Sequence, residues 1–273
     1  FTITVNDVNE TPTGIALSAT AVDENAAGAV VGTLTTTDVD AGDSHTYSLS
    51  GTDAGSFEVA GGQLKLESNV SANYEAKSSY VVTVTATDSS GLTTSRAFTI
   101  TVNDVNEAPT AIALSTTAID ENSAGAVVGT LTTTDVDAGD SHTYSLSGAD
   151  ASSFEVVSGQ LKLKSSVSAN YEAKSSYAVT VTATDSGGLT TPQAFTVTVN
   201  NVNETPTGIA LSSTAVSENS AGAVVGTLTT TDVDASDTHT YSLSGTDASS
   251  FEVTSGQLKL KDSVTADYEA KSS

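Results

Sequence analysis

Val102–Thr110 reads V-N-D-V-N-E-A-P-T, and these nine residues decide the architecture. A strand-like run, Phe98-Thr99-Ile100-Thr101-Val102, enters the stretch, and Ala111-Ile112-Ala113-Leu114 leaves it. Between them Asp104, Asn106 and Glu107 offer side-chain oxygens, while Pro109 fixes φ at the exit. Oxygen donors at this density suit a hard cation such as calcium better than zinc or copper. Nearly the same words stand at Val5–Thr13 and Val199–Thr207, so that Asp7, Asp104 and Asn201 follow one another at intervals of 97 residues. The stretch is a hinge between repeated units.

Working outward, the 97-residue period aligns without gaps: Phe57, Phe154 and Phe251 correspond, as do Tyr74, Tyr171 and Tyr268. That period is too long for a solenoid repeat and has the size of a small independent domain. The expected units are 11–107, 108–204 and 205–273, with 1–10 as the last strand and linker of an upstream unit. Phe1, Ile3 and Val5 alternate with polar residues as a half-buried strand does, so the chain reads as a window of a longer polypeptide. The third copy stops short of the equivalents of Tyr177–Thr184 and Ala194–Val199; open edges and instability are expected there.

Within the first copy seven strands are expected: Gly14–Ser18, Ala29–Thr37, Thr46–Leu49, Phe57–Val59, Gln63–Leu66, Tyr80–Thr87 and Ala97–Val102. Tyr80, Val82, Val84 and Ala86 share one face, and Val81, Thr83, Thr85 and Thr87 the other. Short Thr- and Val-rich strands bounded by Gly, Asp and Asn turns indicate an all-β Greek-key sandwich. One helical turn is expected at Ala72–Lys77. Tyr47, Tyr74, Tyr80 and Phe57 read as core.

Bulk composition narrows the function. The chain of 273 residues carries 33 acidic and 9 basic residues, a formal charge of −24. Such acidity argues against nucleic acid and anionic membranes as partners. Disorder is rejected because apolar alternation is strong and the acids fall at fixed turn positions. The chain has no Cys, Met or Trp, so disulfides are excluded as staples. No apolar run approaches the length of a membrane span and no secretion signal opens the chain.

Acidic clusters recur at Asp23-Glu24-Asn25, Asp38-Val39-Asp40, Asn73-Tyr74-Glu75, Thr87-Asp88 and Asp104–Glu107. Strand order puts Asp38, Asp40 and Asp88 at the end beside the incoming linker. Glu24, Glu75 and the outgoing linker gather at the other end. In order, the motifs VDENAAGAVVGT, DVD, FEVAGGQL, NYE, ATD and DVNEAP resemble the cadherin repeat, in the tandem form of very large bacterial surface proteins. The similarity runs along the whole chain.

This resemblance implies Ca²⁺ between repeats. At the first complete junction the implied ligands are Glu24, Asn73 and Glu75, then Asp104, Asn106, Glu107 and the Val105 and Ala108 carbonyls, then Asp135, Asp137 and Asp185. Asp7, Asn9 and Glu10 with Asp38, Asp40 and Asp88 form the corresponding set at the incoming linker. Glu121, Asn170, Glu172, Asn203, Glu204, Asp232 and Asp234 form it at the last. Departures are the Glu at 107, a linker one residue short of the vertebrate form, Asn for Asp at 73 and 170, and Asn201 for the first linker Asp. Fewer carboxylates at the last junction imply weaker binding there.

Asp43, Asp140 and Asp237 read as turn formers. His45, His142 and His239 read as solvated or weakly packed, because Ser and His neighbours on a strand point apart and make no relay. Asn9, Asn69 and Asn203 open N-glycosylation patterns that the bacterial flavour leaves unused. No nucleophile–base pair or open metal site suggests an enzyme. The expected role is a calcium-stiffened extracellular stalk or adhesive spacer anchored at a bacterial surface, touching neighbouring repeats. The alternative is a module that binds its own kind, a glycan or another surface protein.

Overall fold

The computed structural model describes the whole chain, Phe1–Ser273. Contacts divide it into two compact units. The first contains 1–111 together with two loops of the second copy, 133–143 and 183–191; the second contains the remainder.

In the first copy the strands are β1 (Gly14–Leu17), β2 (Ala21–Asp23), β3 (Val30–Thr37), β4 (Thr46–Ser50), β5 (Phe57–Ala60), β6 (Gln63–Leu66), β7 (Ser79–Thr87) and β8 (Thr93–Asn103). They form two four-stranded sheets, ordered β1-β3-β6-β5 and β2-β8-β7-β4. Successive strands change sheets at β1–β2, β2–β3, β3–β4, β4–β5 and β6–β7, which is the Greek-key weave. All seven expected strands form. The first continues as an eighth segment, Ala21–Asp23, which crosses to the other sheet and pairs in parallel with Thr101–Asn103.

Alternation drives the core. Val82, Val84 and Ala86 of β7 and Ile100 of β8 are fully buried, and they meet Ile15, Leu34, Phe57, Leu64 and Leu66 of the facing sheet. Phe57 and Tyr80 stack edge to face with centroids 5.6 Å apart, a geometry the aromatic quadrupole favours. Tyr47 and Tyr80 pack against this core. Tyr74 does not: it is 37% exposed, so its assignment to the core is corrected. The turn expected at Ala72–Lys77 does form, closed by Lys77 N–H to the Asn73 carbonyl at 2.9 Å, and it leaves the ring outside the core.

The expected strand Phe1–Val5 is absent, and Phe1, Ile3 and Val5 stand in solvent. Phe98–Val102, with the same pattern, lies between Ser79–Thr87 and Ala21–Asp23. Phe1–Val5 has neither neighbour, and alternation without a partner makes no sheet.

The second copy repeats both sheets. The third has one, built from Gly208–Leu211, Val224–Thr231, Gln257–Leu260 and Phe251–Thr254. Its Ile209 is 67% exposed where Ile112 of the second copy is 6% exposed.

The crossing of the first strand needs a glycine. In the second copy the ladder slips between Val127 and Gly129. A Cβ on Gly129 would lie 2.8 Å from Ser115 Oγ and 3.0 Å from Thr116 N, where that strand changes sheet. Gly129→Ala is therefore expected to cost about 1–3 kcal/mol through overpacking, seen as an earlier midpoint for the second copy in urea melts.

Candidate metal centre

Glu24 builds the first junction. It is 3% exposed, yet no cation faces it. Its Oε2 accepts the Tyr74 N–H at 2.7 Å and its Oε1 the Val105 N–H at 2.9 Å. One carboxylate therefore ties the β2 end to both the Asn73–Lys77 turn and the linker. Around it converge Glu75, Asp104 and Glu107, each with an oxygen within 4.8 Å of the others'. No Lys or Arg forms an ion pair with any of the four.

The linker reaches the other side as well. Glu107 N–H donates to Asp137 Oδ2 at 2.8 Å, and the Asn106 amide donates to Asp185 Oδ2 at 3.0 Å. Asp135, Asp137 and Asp140 make a second group of oxygens within 4.8 Å. All of these residues belong to the first compact unit.

Electrostatics follow from this crowding. Loss of water, then the Asp137 and Glu24 carboxylates, pushes the Asp104 carboxyl above its ordinary value. Loss of water also raises Glu107; the Asn25 amide pulls the other way, and Glu24, Asp137 and Glu75 add to the rise. Burial by itself would raise Asp185, but the Asn106 amide and the Leu189, Gly188 and Gly187 N–H groups outweigh it and hold that carboxyl low. Glu107 Oε2 is buried with no hydrogen-bond donor. An orphaned anionic oxygen among like charges, with no basic side chain opposite, fits a hard divalent cation.

The incoming linker repeats the pattern. Asn9 donates to Asp88 Oδ2 at 2.9 Å and holds its carboxyl low, while Glu10 N–H donates to Asp40 Oδ2 at 2.8 Å. Asp38, Asp43 and His45 converge beside it, and Asp7 lies in the same pocket with Asn9, Asp40 and Asp43. At the last junction Glu121 accepts from Tyr171 N–H and Val202 N–H, and Glu204 N–H donates to Asp234 Oδ2 at 2.7 Å. There the converging group is Glu121, Glu172 and Glu204, three carboxylates instead of four, since Asn201 stands where Asp104 does. The Asn203 amide turns to the Glu204 carbonyl.

Some expected ligands are placed differently. Asn73 and Asn170 sit at the rim, with Oδ1 accepting the Ala76 and Ala173 N–H groups of their own turns at 2.6 and 2.7 Å. The histidines are not solvated: His45, His142 and His239 lie 2.8–2.9 Å from Asp38, Asp135 and Asp232 through Nε2, with His45 11% exposed. The tight loop after Asp-Val-Asp brings each back onto the first Asp. Asn25 and Asn122, which the pattern left unassigned, donate to Glu107 and Glu204. Both sit in left-handed backbone, with φ of 63° and 64°, which Asn tolerates.

Comparisons with known proteins identify the family and the fold. The cadherin-domain family model matches residues 18–103 and 115–200, together more than half of the chain. Human Protocadherin Fat 1 is 27% identical over 217 residues, covering 74% of this chain; the chain spans about 5% of that relative's length. Among solved structures, the Protocadherin GammaB4 extracellular domain matches with a TM-score of 0.67 at 20% identity, over 98% of this chain and 46% of that one. Mouse Cadherin-23 EC22-24 matches with a TM-score of 0.67 at 24% identity, over 93% and 89%. At these identities the likeness to the solved structures is one of fold. The family match and the paired-sheet copies lead to one conclusion: the chain belongs to the cadherin family, as tandem cadherin domains.

Proposed function

We propose that this chain is a segment of an extracellular stalk whose linkers are stiffened by calcium. The observation that carries the proposal is the convergence of Glu24, Glu75, Asp104 and Glu107 on one point with no basic partner. A divalent cation bound there neutralises the like charges and supplies one centre to which both sides of the linker are tied. Asp104, Asn106 and Glu107 present the linker, Glu24 and Glu75 the preceding repeat, and Asp135, Asp137 and Asp185 the following one. Domain limits at 11–107, 108–204 and 205–273 follow from placing a linker at each boundary. The near-identical copies and the shortened linker favour a large bacterial surface protein as the source. The alternative is an adhesive face for a second copy of the chain; the similar Protocadherin gammaB7 EC3-6 structure, described as a cis-dimer, supports that possibility.

The two complete junctions are expected to differ. Three converging carboxylates hold calcium more weakly than four, since affinity tracks ligand charge. Calorimetric titration of the chain is expected to resolve a tighter class of sites, lost in Asp104→Asn, and a weaker class retained in that variant. Equal affinity at both junctions, or no calcium binding, would contradict the proposal.

A further inference from the structure

Tension on a chain of tandem repeats enters each copy through one linker and leaves through the next, so the contact between first and last strands must carry it. In the first copy that contact is short. Ala21–Asp23 of β2 pairs in parallel with Thr101–Asn103 of β8, three residues on each side, whereas β7 pairs with β8 over all nine of its residues. Pulling on the two linkers draws β2 toward its N-terminal end and β8 toward its C-terminal end. Parallel strands drawn this way slide past each other, and the bonds that run between them must break together. A hairpin pulled open loses its bonds one at a time.

Side chains reinforce the short ladder. The Thr101 N–H donates to the Thr20 carbonyl at 2.9 Å and Thr101 Oγ1 to the same carbonyl at 3.2 Å, while the Asn103 amide donates to Asp23 Oδ1 at 2.8 Å. The second copy builds the same contacts, Thr198 on Thr117 at 2.8 and 3.2 Å and Asn200 on Asp120 at 2.9 Å. The first copy adds one that the second lacks. Arg96 of β8, the only arginine of the chain, reaches across to the other sheet and donates to the Ile15 carbonyl of β1 at 2.8 Å, with its guanidinium 5.1 Å from the Phe98 ring. Gln193 takes its place in the second copy and turns to the Ala194 carbonyl at 3.1 Å.

We propose that this joint between first and last strands carries tension in each two-sheet repeat, and that Arg96 makes the first copy mechanically stronger than the second. Its use rests on the stalk reading above, but the joint itself needs no cation. Thr101 and Asn103 hold β2, and Arg96 holds β1, so in the first copy both halves of the entering segment are fastened to the departing strand. In the second copy only the half at Ala118–Asp120 is fastened in this way. The third copy has a single sheet and no such joint.

Single-molecule pulling on the full chain tests it, in calcium chloride and again in chelator, through thiol handles added at the two ends; the chain has no cysteine of its own. Two full-length unfolding events are expected, one at higher force than the other. Arg96→Gln installs the second copy's own residue and should bring the stronger event down to the weaker, with forced unfolding about tenfold faster at fixed load. Thr101→Val combined with Asn103→Ala should speed the same event by a similar factor. The first copy can also be pulled through Val81→Cys and Thr99→Cys, exposed residues that face each other on β7 and β8. That direction peels the hairpin and should need clearly less force, with no change in Arg96→Gln. Equal forces in the two directions overturn the proposal, as do two end-pulled events of one force. An Arg96→Gln effect of the same size in both directions also overturns it, because it marks an ordinary stabilising contact. High end-pulled force that persists in chelator supports the joint even if the calcium reading fails. A chain that lengthens in calcium yet yields as easily from its ends as from the hairpin keeps the calcium reading and overturns the joint.

Discussion

Saturating calcium is expected to raise the melting temperature of the first copy by roughly 15–30 °C over the stripped protein. A ligand present at about a thousand times its Kd stabilises the folded state by about 4 kcal/mol, and each kcal/mol shifts a domain of this size by about 4–8 °C. The effect is large because the site without cation is self-repelling: Glu24, Glu75, Asp104 and Glu107 meet with no Lys or Arg among them. The pH dependence carries the same signature. Asp104, Glu107, Glu10 and Glu204 have raised carboxyls, so in the stripped protein the folded state binds more protons than the unfolded one. Stability therefore falls as pH rises above the ordinary carboxylate values of 3.8 and 4.5 and is recovered on mild acidification. Asp38, Asp53, Asp88 and Asp185 have lowered carboxyls, and their contribution is lost only as pH falls below 3.8. Stripped protein should melt higher at pH 5 than at pH 7.5. With calcium the order should reverse, because protons compete for the same oxygens. Melts at both pH values check both signs.

Glu24→Ala is the substitution with the largest expected cost. Its two carboxylate oxygens accept the Tyr74 and Val105 N–H groups, so truncation orphans both donors where the side chain was 3% exposed. Each charge-assisted bond contributes about 1.5–3 kcal/mol, and the removed repulsion with Asp104 and Glu107 offsets part of that. The net loss should be about 2–4 kcal/mol in urea melts of stripped protein, with calcium affinity at that junction falling by about a hundredfold or more. Glu24→Gln should keep one of the two N–H bonds and lie between. Glu218, in the third copy, accepts a single long bond from Tyr268 N–H at 3.2 Å and is exposed. Its alanine variant should therefore change stability little, an internal comparison on one chain.

Those expectations also show what the sequence made legible. Alternation in Tyr80–Thr87 and Phe98–Val102 encoded both the strands and the face that each buries. Strand order put Glu24, Glu75 and the linker residues Asp104 and Glu107 at one end of the copy, and the 97-residue period repeated that set at the next junction. Ala21–Asp23 escaped notice because three residues carry no period, and its parallel partner is about 80 residues away. Tyr74 was misassigned because a single turn at Asn73–Lys77 rotates the side chain outward. Asn73 is expected as a ligand from its position; its Oδ1 also accepts the Ala76 N–H of its own turn, a contact that residue type does not announce. Phe1–Val5 has the pattern of a strand and lacks the neighbours that make one. His45 and Asp140 depend on how a short loop folds back on Asp38 and Asp135, and residue type alone does not encode that geometry. Local period was readable; the return path of loops was not.

The central claim is that calcium turns a flexible linker into a stiff one, and small-angle X-ray scattering of the dilute chain tests it most directly. In millimolar calcium the maximum dimension should be longer and sharply defined, independent of protein concentration, and it should shorten and blur when chelator is added and recover when calcium returns. Scattering curves that superimpose with and without calcium would contradict the claim.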